Sequence, residues 1–266
     1  MLNGTFTWNG TSTVDLGIKV ERFPAMNRPT RKYQRISVPG RNGDLFLYEN
    51  AWNNYDQEYE IYAAKTDPDT LGEKWTEIME WLMPPLSNLT DGLYLANMEY
   101  GGYRQLTDTY DPGIIRLASY VYETGIGNTW NKYGKATVKF SCRPERFLAD
   151  AFTPIALSET GAGPNYYITN PTINVAKPFI HILYSTASYD PDTYVLFNGK
   201  KIVFPAAYDQ VIVDCERMDI LDVLGNNLNG VITLPDGWPQ LSPGSNTITW
   251  TGYIEDVNVY PRWWRI

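Results

Sequence analysis

Short stretches in which apolar and polar residues alternate, bounded by turn-forming residues, recur along this chain and constrain its fold more than any other feature. In 55–63, the odd-numbered positions carry mostly apolar side chains, whereas positions 56, 58 and 60 carry carboxylates. A strand with this alternation buries one face and exposes the other. We therefore predict a mainly β protein built from antiparallel strands.

Two hairpins are indicated by their turn residues. The segment 33–38 leads through Pro39-Gly40-Arg41-Asn42-Gly43 into 44–48, and the segment 194–197 leads through Asn198-Gly199 into 200–204. Asn-Gly supplies the positive φ angles that tight hairpin turns require.

One helix is predicted. Thr70 and Glu73 are spaced as a capping box, and Pro84-Pro85 ends the segment. Between them, apolar residues recur at helical spacing, at Leu71, Trp75, Ile78, Met79 and Leu82. A helix of about a dozen residues is about 18 Å long, which is enough to cover part of a sheet.

At 266 residues, the chain is long enough for two domains of ordinary size. We predict a first domain over 1–146, a sandwich or barrel-like sheet that carries the single helix. Residues 147–165 include a run rich in glycine, proline and polar residues, which favours a linker. Short strands with frequent turns then predict a β-sandwich over 166–266.

Positive charge is concentrated between Glu21 and Asp44, where no acidic residue occurs in a chain of net charge −8. The basic residues are Arg22, Arg28, Arg31, Lys32, Arg35 and Arg41. A solvated hairpin face and a docking surface for a negative partner both explain this pattern, with nucleic-acid phosphate as a weaker option. The acidic net charge disfavours sequence-specific nucleic-acid binding.

The acidic side of the strand at 55–63 offers such a partner on an identical neighbouring copy. We therefore treat two sets of residues as a candidate subunit interface. They are Arg28, Arg31, Lys32, Arg35 and Arg41 on the hairpin, and Asp56, Glu58 and Glu60 on the strand.

The residues needed for catalysis or metal binding are scarce. His181 is the one histidine, and it lies between apolar neighbours in a predicted strand. Cys142 and Cys215 each follow apolar residues at period two, which indicates two small core side chains. Asp214 and Glu216 are followed by Arg217, which offers a local ion pair. We predict no catalytic residue, no metal site and no cofactor, and hence no enzyme.

The C-terminal part is rich in aromatic residues, and Trp238, Trp263 and Trp264 are candidate contacts with a carbohydrate or a protein partner. Exposed rings can stack on sugars, but we favour packing or subunit contact as their role. A carbohydrate-binding module of a surface or secreted protein therefore stays an alternative.

The first residues lack the charged and apolar segments of a signal peptide, and no run of about 18 apolar residues occurs. We expect a protein that is synthesised in a cytoplasm and is not inserted in a membrane.

Several motifs, in their order along the chain, resemble a known family. The chain opens with Phe6-Thr7-Trp8-Asn9-Gly10-Thr11-Ser12 and Val14-Asp15-Leu16-Gly17-Ile18, and Val38-Pro39-Gly40-Arg41-Asn42-Gly43-Asp44-Leu45 follows. These motifs are similar to the opening and the first hairpin of the distal tail (Dit) proteins of siphovirus-type phages. Thr13 departs from the serine that is more common there. Further similar segments lie at 136–144, 168–171, 195–200, 213–216 and 241–248.

This resemblance implies a virion structural protein at the tail tip, with a galectin-like second domain. Members of the family form hexameric rings through the first domain and join the tail tube protein to the tail-associated spike or lysin protein. Their second domains project outward and in some members carry receptor-binding proteins or bind cell-wall glycans. A second domain of about 100 residues implies that the grasping arm of some members is absent.

Overall fold

The computed structural model of the protein describes residues 4–64, 71–83, 102–121, 127–129, 133–158, 165–184, 190, 192–206 and 208–266. Within these residues the chain is mostly β with a single α-helix, which confirms the predicted fold class. No helix in the described part of the chain has the length and apolar character needed to cross a membrane.

The chain divides into two compact units. Among the described residues, the first unit contains those up to Arg146 together with Ile266, and the second contains Phe147 to Arg265.

The first unit contains one helix and ten strands in its described ranges. These are β1 (Phe6–Trp8), β2 (Thr11–Ser12), β3 (Ile18–Val20), β4 (Arg31–Ile36), β5 (Leu45–Trp52), β6 (Tyr55–Ala64), α1 (Leu71–Leu82), β7 (Arg104–Asp108), β8 (Ile114–Val121), β9 (Gly127–Thr129) and β10 (Tyr133–Leu148), the last of which runs into the second unit. The main sheet has the order β2-β1-β7-β8-β10-β6-β3, with β9 also paired to β10. Strands β4 and β5 form a separate two-stranded sheet.

Strand β6 has the predicted alternation. Its odd-numbered side chains from Tyr55 to Ala63, including Gln57, are buried. The strand pairs antiparallel with β10 over ten residue pairs, from Tyr55 opposite Cys142 to Ala64 opposite Tyr133. The alternation in sequence therefore fixes which side of the sheet faces the core.

Helix α1 confirms the predicted helix, although Thr70, Pro84 and Pro85 lie outside the described residues. Its apolar side contributes Leu71, Trp75, Ile78 and Leu82 to the core of the first unit, and Met79 packs partly against it. The indole of Trp75 lies directly on Gly134 of β10, where a Cβ atom would come within 2.5 Å of its Nε1. A residue without a side chain is needed at this contact.

Two sheets form the second unit. Its strands are β11 (Ile155–Ser158), β12 (Asn165–Asn170), β13 (Phe179–Tyr184), β14 (Tyr194–Phe197), β15 (Lys200–Val203), β16 (Gln210–Asp214), β17 (Asp219–Asp222), β18 (Gly244–Thr251), β19 (Ile254–Tyr260) and β20 (Trp264–Arg265). One sheet has the order β11-β19-β13-β16-β17, and the other has the order β12-β18-β14-β15. Tyr184 is the last residue of β13 in the first of these sheets, and Phe204 directly follows β15 in the second. Their ring centroids lie 6.1 Å apart.

Part of the range expected to be a linker belongs to this sandwich. Ile155–Ser158 form the edge strand β11, which pairs antiparallel with β19, and Leu157 is buried. The alternation in this strand is only four residues long, and the adjoining glycine-rich run hides it. Residues 159–164 of the expected linker lie outside the described residues.

The predicted Asn-Gly hairpin is present between β14 and β15. Asn198 and Gly199 have φ values of 47° and 83°, as a two-residue turn of this kind requires. Phe197 is paired with Lys200 across the turn.

Candidate assembly interface

The hairpin formed by β4 and β5 differs from every other strand pair in the described chain because both of its faces are open to solvent. All six residues of β4 are exposed, and so are the first six of β5. The register sets Tyr33 opposite Tyr48 and Ile36 opposite Leu45. Because directly opposed residues share a face, the register defines the composition of each face.

The first face, here called the aromatic face, carries Tyr33, Arg35, Phe46 and Tyr48. The ring centroid of Tyr33 lies 5.2 Å from that of Phe46 and 6.0 Å from that of Tyr48. The three rings are 44% to 59% exposed. Arg35 pairs with Asp44 of the same hairpin. The aromatic face is therefore an ordered apolar surface with one internally compensated charge.

The second face, here called the aliphatic face, carries Gln34, Ile36, Leu45 and Leu47. Its three aliphatic side chains are also exposed. Exposed apolar residues are common when they are scattered singly, but a contiguous set on both sides of one element is typical of a surface that is covered in an assembly.

The strand edges of this hairpin are also open. Within the described residues, β4 and β5 pair only with each other. An isolated two-stranded hairpin is only marginally stable in water. Its unpaired edges and two apolar faces together favour stabilisation by another chain.

The structure places the five basic candidate residues of the hairpin at or near its exposed surface. The guanidinium of Arg31 lies 4.8 Å from the ring centroid of Trp52, so it stacks on an aromatic side chain of the same hairpin. Arg28, Lys32 and Arg41 have no acidic partner within the described residues. These three charges are the ones that remain available to a partner.

The acidic candidates on β6 lie together on the outer side of the sheet, as predicted, but they have intrachain partners. Asp56 lies 2.9 Å from Nζ of Lys139, and Glu60 lies 3.1 Å from Nε of Arg22 and 3.5 Å from Nζ of Lys135. A hydrogen bond with Glu21 raises the pKa of Lys135. These acids therefore face basic side chains of their own chain, which reduces the net negative charge that they can offer to a neighbour.

The three tryptophan candidates of the second unit differ in exposure. Trp263 is only 3% exposed, so its ring lies in the core of the single chain, which matches the packing interpretation and not the candidate surface contact. Trp264 is partly exposed and donates from Nε1 to the carbonyl of Val175 at 3.0 Å. Trp238 is partly exposed at the wall of a cavity.

The side chains with the greatest potential for chemical reactivity are one histidine and two cysteines. His181 shares a 2.8 Å hydrogen bond with Gln210 on the neighbouring strand. Cys142 and Cys215 are buried, as predicted, and burial raises the pKa of the Cys142 thiol to about 12. Among the described residues, no group of histidine, cysteine, aspartate or glutamate side chains is arranged to hold a metal ion.

Asp214, one of the two acids that precede Arg217, has a charged partner that is distant in sequence. Two guanidinium nitrogens of Arg262 bind the carboxylate of Asp214, at 2.7 and 3.2 Å, and Arg217 contributes its backbone NH at 3.1 Å. Strand β16 directs Asp214 into the interior, where a cation from the C-terminal segment meets it.

Sequence reasoning missed the apolar character of the hairpin. Leu45-Phe46-Leu47-Tyr48 is an uninterrupted apolar run within a strand. Such a run is typical of a strand that is covered on both faces. No described residue of the first unit covers this run, so the run itself was the available signal for an interface.

Comparison with known proteins gives a match to a solved structure over nearly the whole chain. No protein-family model matches the chain, and neither does any curated protein. The structure is similar to the crystal structure of the SPP1 Dit (gp 19.1) protein, described as a paradigm of the hub adsorption apparatus in phages that infect Gram-positive bacteria. The TM-score is 0.66 at 14% sequence identity, over 96% of this chain and 98% of that one. This protein therefore has the fold of the SPP1 Dit protein over nearly its whole length.

Proposed function

We propose that this protein is a phage distal tail protein, a structural component of the virion whose copies form a hexameric ring at the tail tip. The proposal rests on the fold likeness to a phage hub protein over 96% of the chain and on the ordered motifs from Phe6 to Ile248. In this role the protein acts through its surfaces and not through an active site.

The observation that carries the assembly role is the β4–β5 hairpin. A ring of identical subunits needs a heterologous contact, in which one surface of each copy binds a different surface of the next. The hairpin offers such a surface, because its apolar faces are exposed and its strands pair only with each other among the described residues. We infer that it docks on the first unit of a neighbouring copy.

Charge contributes to this contact in a secondary way. Arg28, Lys32 and Arg41 supply positive charge around the hairpin. The acidic residues of β6 on a second copy are the oppositely charged surface that they would face. Because Asp56, Glu58 and Glu60 already face lysines or arginines of their own chain, we assign most of the binding free energy to apolar burial. The charges then guide orientation.

The partners of the ring follow from the same proposal. One side of the ring binds the tail tube protein and the other binds the tail-associated spike or lysin protein. The second unit extends the hub toward a receptor-binding protein or a cell-wall glycan. The protein then resides at the tail tip of the virion after synthesis in the host cytoplasm.

Electron microscopy tests the proposal. The chain is produced together with the tail tube protein of the same phage, and the particles are imaged by negative staining. We expect rings with six-fold symmetry at one end of the tube. Tubes that lack this protein at both ends contradict the proposal.

The alternative is a carbohydrate-binding module, which predicts a monomer of 30.3 kDa with no affinity for a tail tube. The partly exposed Trp238 is the observation in its favour. A monomer that binds a glycan and ignores the tube supports this alternative.

A further inference from the structure

The connection between β4 and β5 carries a reactive dipeptide at the tip of the hairpin. Asn42 and Gly43 are both exposed, and residues 37–44 belong to no strand. Within the described residues, this connection has one backbone hydrogen bond outside the strand ladder, in which the NH of Arg41 donates to the Val38 carbonyl at 3.2 Å. A segment with so few contacts changes conformation at little cost in free energy.

The two groups that can react here are the amide nitrogen of Gly43 and the side-chain carboxamide of Asn42. Gly43 has a φ of 81°, and no atom lies within 4 Å of the place that a Cβ atom would occupy. Neither group has a hydrogen-bond partner among the described residues. The nitrogen can therefore approach Cγ of Asn42 without displacing a side chain or breaking a hydrogen bond.

This approach leads to deamidation. A bond forms between the Gly43 nitrogen and the Asn42 Cγ, the bond from Cγ to Nδ2 breaks, and the amide proton of Gly43 leaves with Nδ2 as ammonia. Water then adds to either carbonyl carbon of the resulting cyclic succinimide and breaks the bond from that carbon to the nitrogen, which takes up a proton. The product at position 42 is an aspartyl residue or, with the main chain running through Cγ, an isoaspartyl residue. The positive charge of the adjacent Arg41 favours loss of the Gly43 amide proton.

The other Asn-Gly dipeptides in the described part of the chain are held more firmly. Asn9-Gly10 joins β1 to β2 in a two-residue turn, with Trp8 paired to Thr11 across it. The NH of Asn9 also donates to the Gln105 carbonyl at 3.0 Å. Rotation of this backbone toward ring closure would break the strand pairing, so we expect slower reaction there than at Asn42.

At Asn198-Gly199 the reacting side chain is bonded as well. Its Nδ2 donates to Oδ1 of Asn246 at 2.6 Å, and its Oδ1 accepts from the NH of Thr247 at 2.8 Å. Asn229, which also precedes a glycine, accepts from the NH of Ile220 at 2.7 Å. Hydrogen bonds that must break before attack raise the barrier, and the loss of two of them slows the reaction by about tenfold or more.

We propose that Asn42 is a site of spontaneous deamidation, and that the change makes chains left unassembled less able to join a ring. The new carboxylate lies beside Arg41 and reduces the positive charge that the hairpin offers to a partner. An isoaspartyl product also lengthens the main chain of the turn that joins β4 to β5. The effect on assembly rests on the proposed function, whereas the modification is a property of the single chain.

Peptide mapping tests the modification. The monomeric fraction of the full chain is incubated in mildly alkaline buffer, and its peptides are analysed by mass spectrometry and assayed for isoaspartate. We expect deamidation at Asn42 to be faster than at Asn198 by about tenfold or more, with Asn9 between them. Asn42→Gln is the matched control and should give no product at this position, because the longer side chain closes a cyclic imide far less readily.

Two results overturn the modification. One is a rate at Asn42 that is no higher than the rate at Asn9 or Asn198. The other is an intact Asn42 in the folded chain after a time at which a free peptide of residues 38–45 has deamidated.

Ring yield with the tail tube protein tests the effect on assembly. Incubated chains should form fewer rings than fresh chains, in proportion to the fraction deamidated at position 42, whereas incubated Asn42→Gln chains should form as many as fresh ones. Equal yields from the two incubated samples, with position 42 deamidated in the unsubstituted chain, overturn this effect. If fresh chains form no rings, the proposed function fails, and the peptide map still decides the modification.

Discussion

Arg262 and Asp214 form a bidentate ion pair in the interior of the second unit, with N–O distances of 2.7 and 3.2 Å. Both residues are at most 5% exposed. Arg262 has a positive φ of 53°, and its guanidinium lies 5.4 Å from the ring centroid of Phe179. An unfavourable backbone conformation is thus retained at the residue that neutralises a buried carboxylate.

Removing one member of this pair should destabilise the chain. We expect Arg262→Met to lower the free energy of unfolding by about 3 to 5 kcal/mol, because it leaves Asp214 buried without its charged partner. Urea unfolding measures the change. Arg265→Met is the exposed control and should shift stability by no more than about 0.5 kcal/mol. Equal stability of the two variants contradicts a structural role for the pair.

The contact between helix α1 and β10 predicts opposite effects for two glycines. In Gly134→Ala the new Cβ meets the Trp75 indole, and we expect a loss of about 1 to 3 kcal/mol from overpacking. In Gly72→Ala the new Cβ meets nothing within 4 Å, and we expect a gain of up to about 1 kcal/mol from helix propensity. Thermal unfolding separates them, and a stabilising Gly134→Ala contradicts this packing.

Alkaline pH should unfold the first unit. Burial raises the pKa of Tyr55 from 10.0 to about 12 and that of Cys142 from 9.0 to about 12. Because both pKa values are higher in the folded state, their stabilisation is complete below about pH 9 and is lost as the pH rises to about 12. Over the range where one such group titrates only in the unfolded state, stability falls by about 1.4 kcal/mol per pH unit.

Urea unfolding measured between pH 8 and pH 11 checks this expectation. Tyr55→Phe should reduce the slope of stability against pH, because the phenol that ionises on unfolding has been removed. Tyr253→Phe, at an exposed site, is the control and should leave the slope unchanged. Stability that is constant up to pH 11 contradicts the burial of these groups.

Substitutions in the hairpin should weaken assembly without lowering the stability of the monomer. We expect Tyr33→Ser with Phe46→Ser to weaken association of copies, because both rings lie on the aromatic face and are exposed in the single chain. The thermal midpoint of the monomer should change little. Ile78→Ala is the opposite control, since loss of a buried side chain should lower the midpoint by destabilising the core by about 2 to 5 kcal/mol.

Local structure could be predicted from sequence where short-range patterns decide it. The spacing from Leu71 to Leu82 predicted α1, and Asn198-Gly199 predicted the second hairpin, because helix periodicity and turn geometry depend on neighbouring residues. The register of β6 was also predictable, since a shift by one residue would bury its carboxylates.

Long-range relationships could not be predicted in this way. Asp214 and Arg262 are 48 residues apart, and no local pattern links them. Trp263 and Trp264 are adjacent, so one is buried and the other partly exposed, and only the placement of the last segment against the sheet decides which. The exposure of the β4–β5 hairpin likewise depends on what the remainder of the first unit leaves uncovered.

We propose that the β4–β5 hairpin joins copies of this chain into a six-membered ring. The chain is produced together with its tail tube protein and then separated from it by size. Light scattering measures the mass of the separated species. We expect about 180 kDa, which is six times the chain mass of 30.3 kDa, and a shift toward 30.3 kDa in the Tyr33→Ser, Phe46→Ser variant. A mass of 30.3 kDa for the unsubstituted chain, or a six-fold mass that survives in the variant, contradicts it.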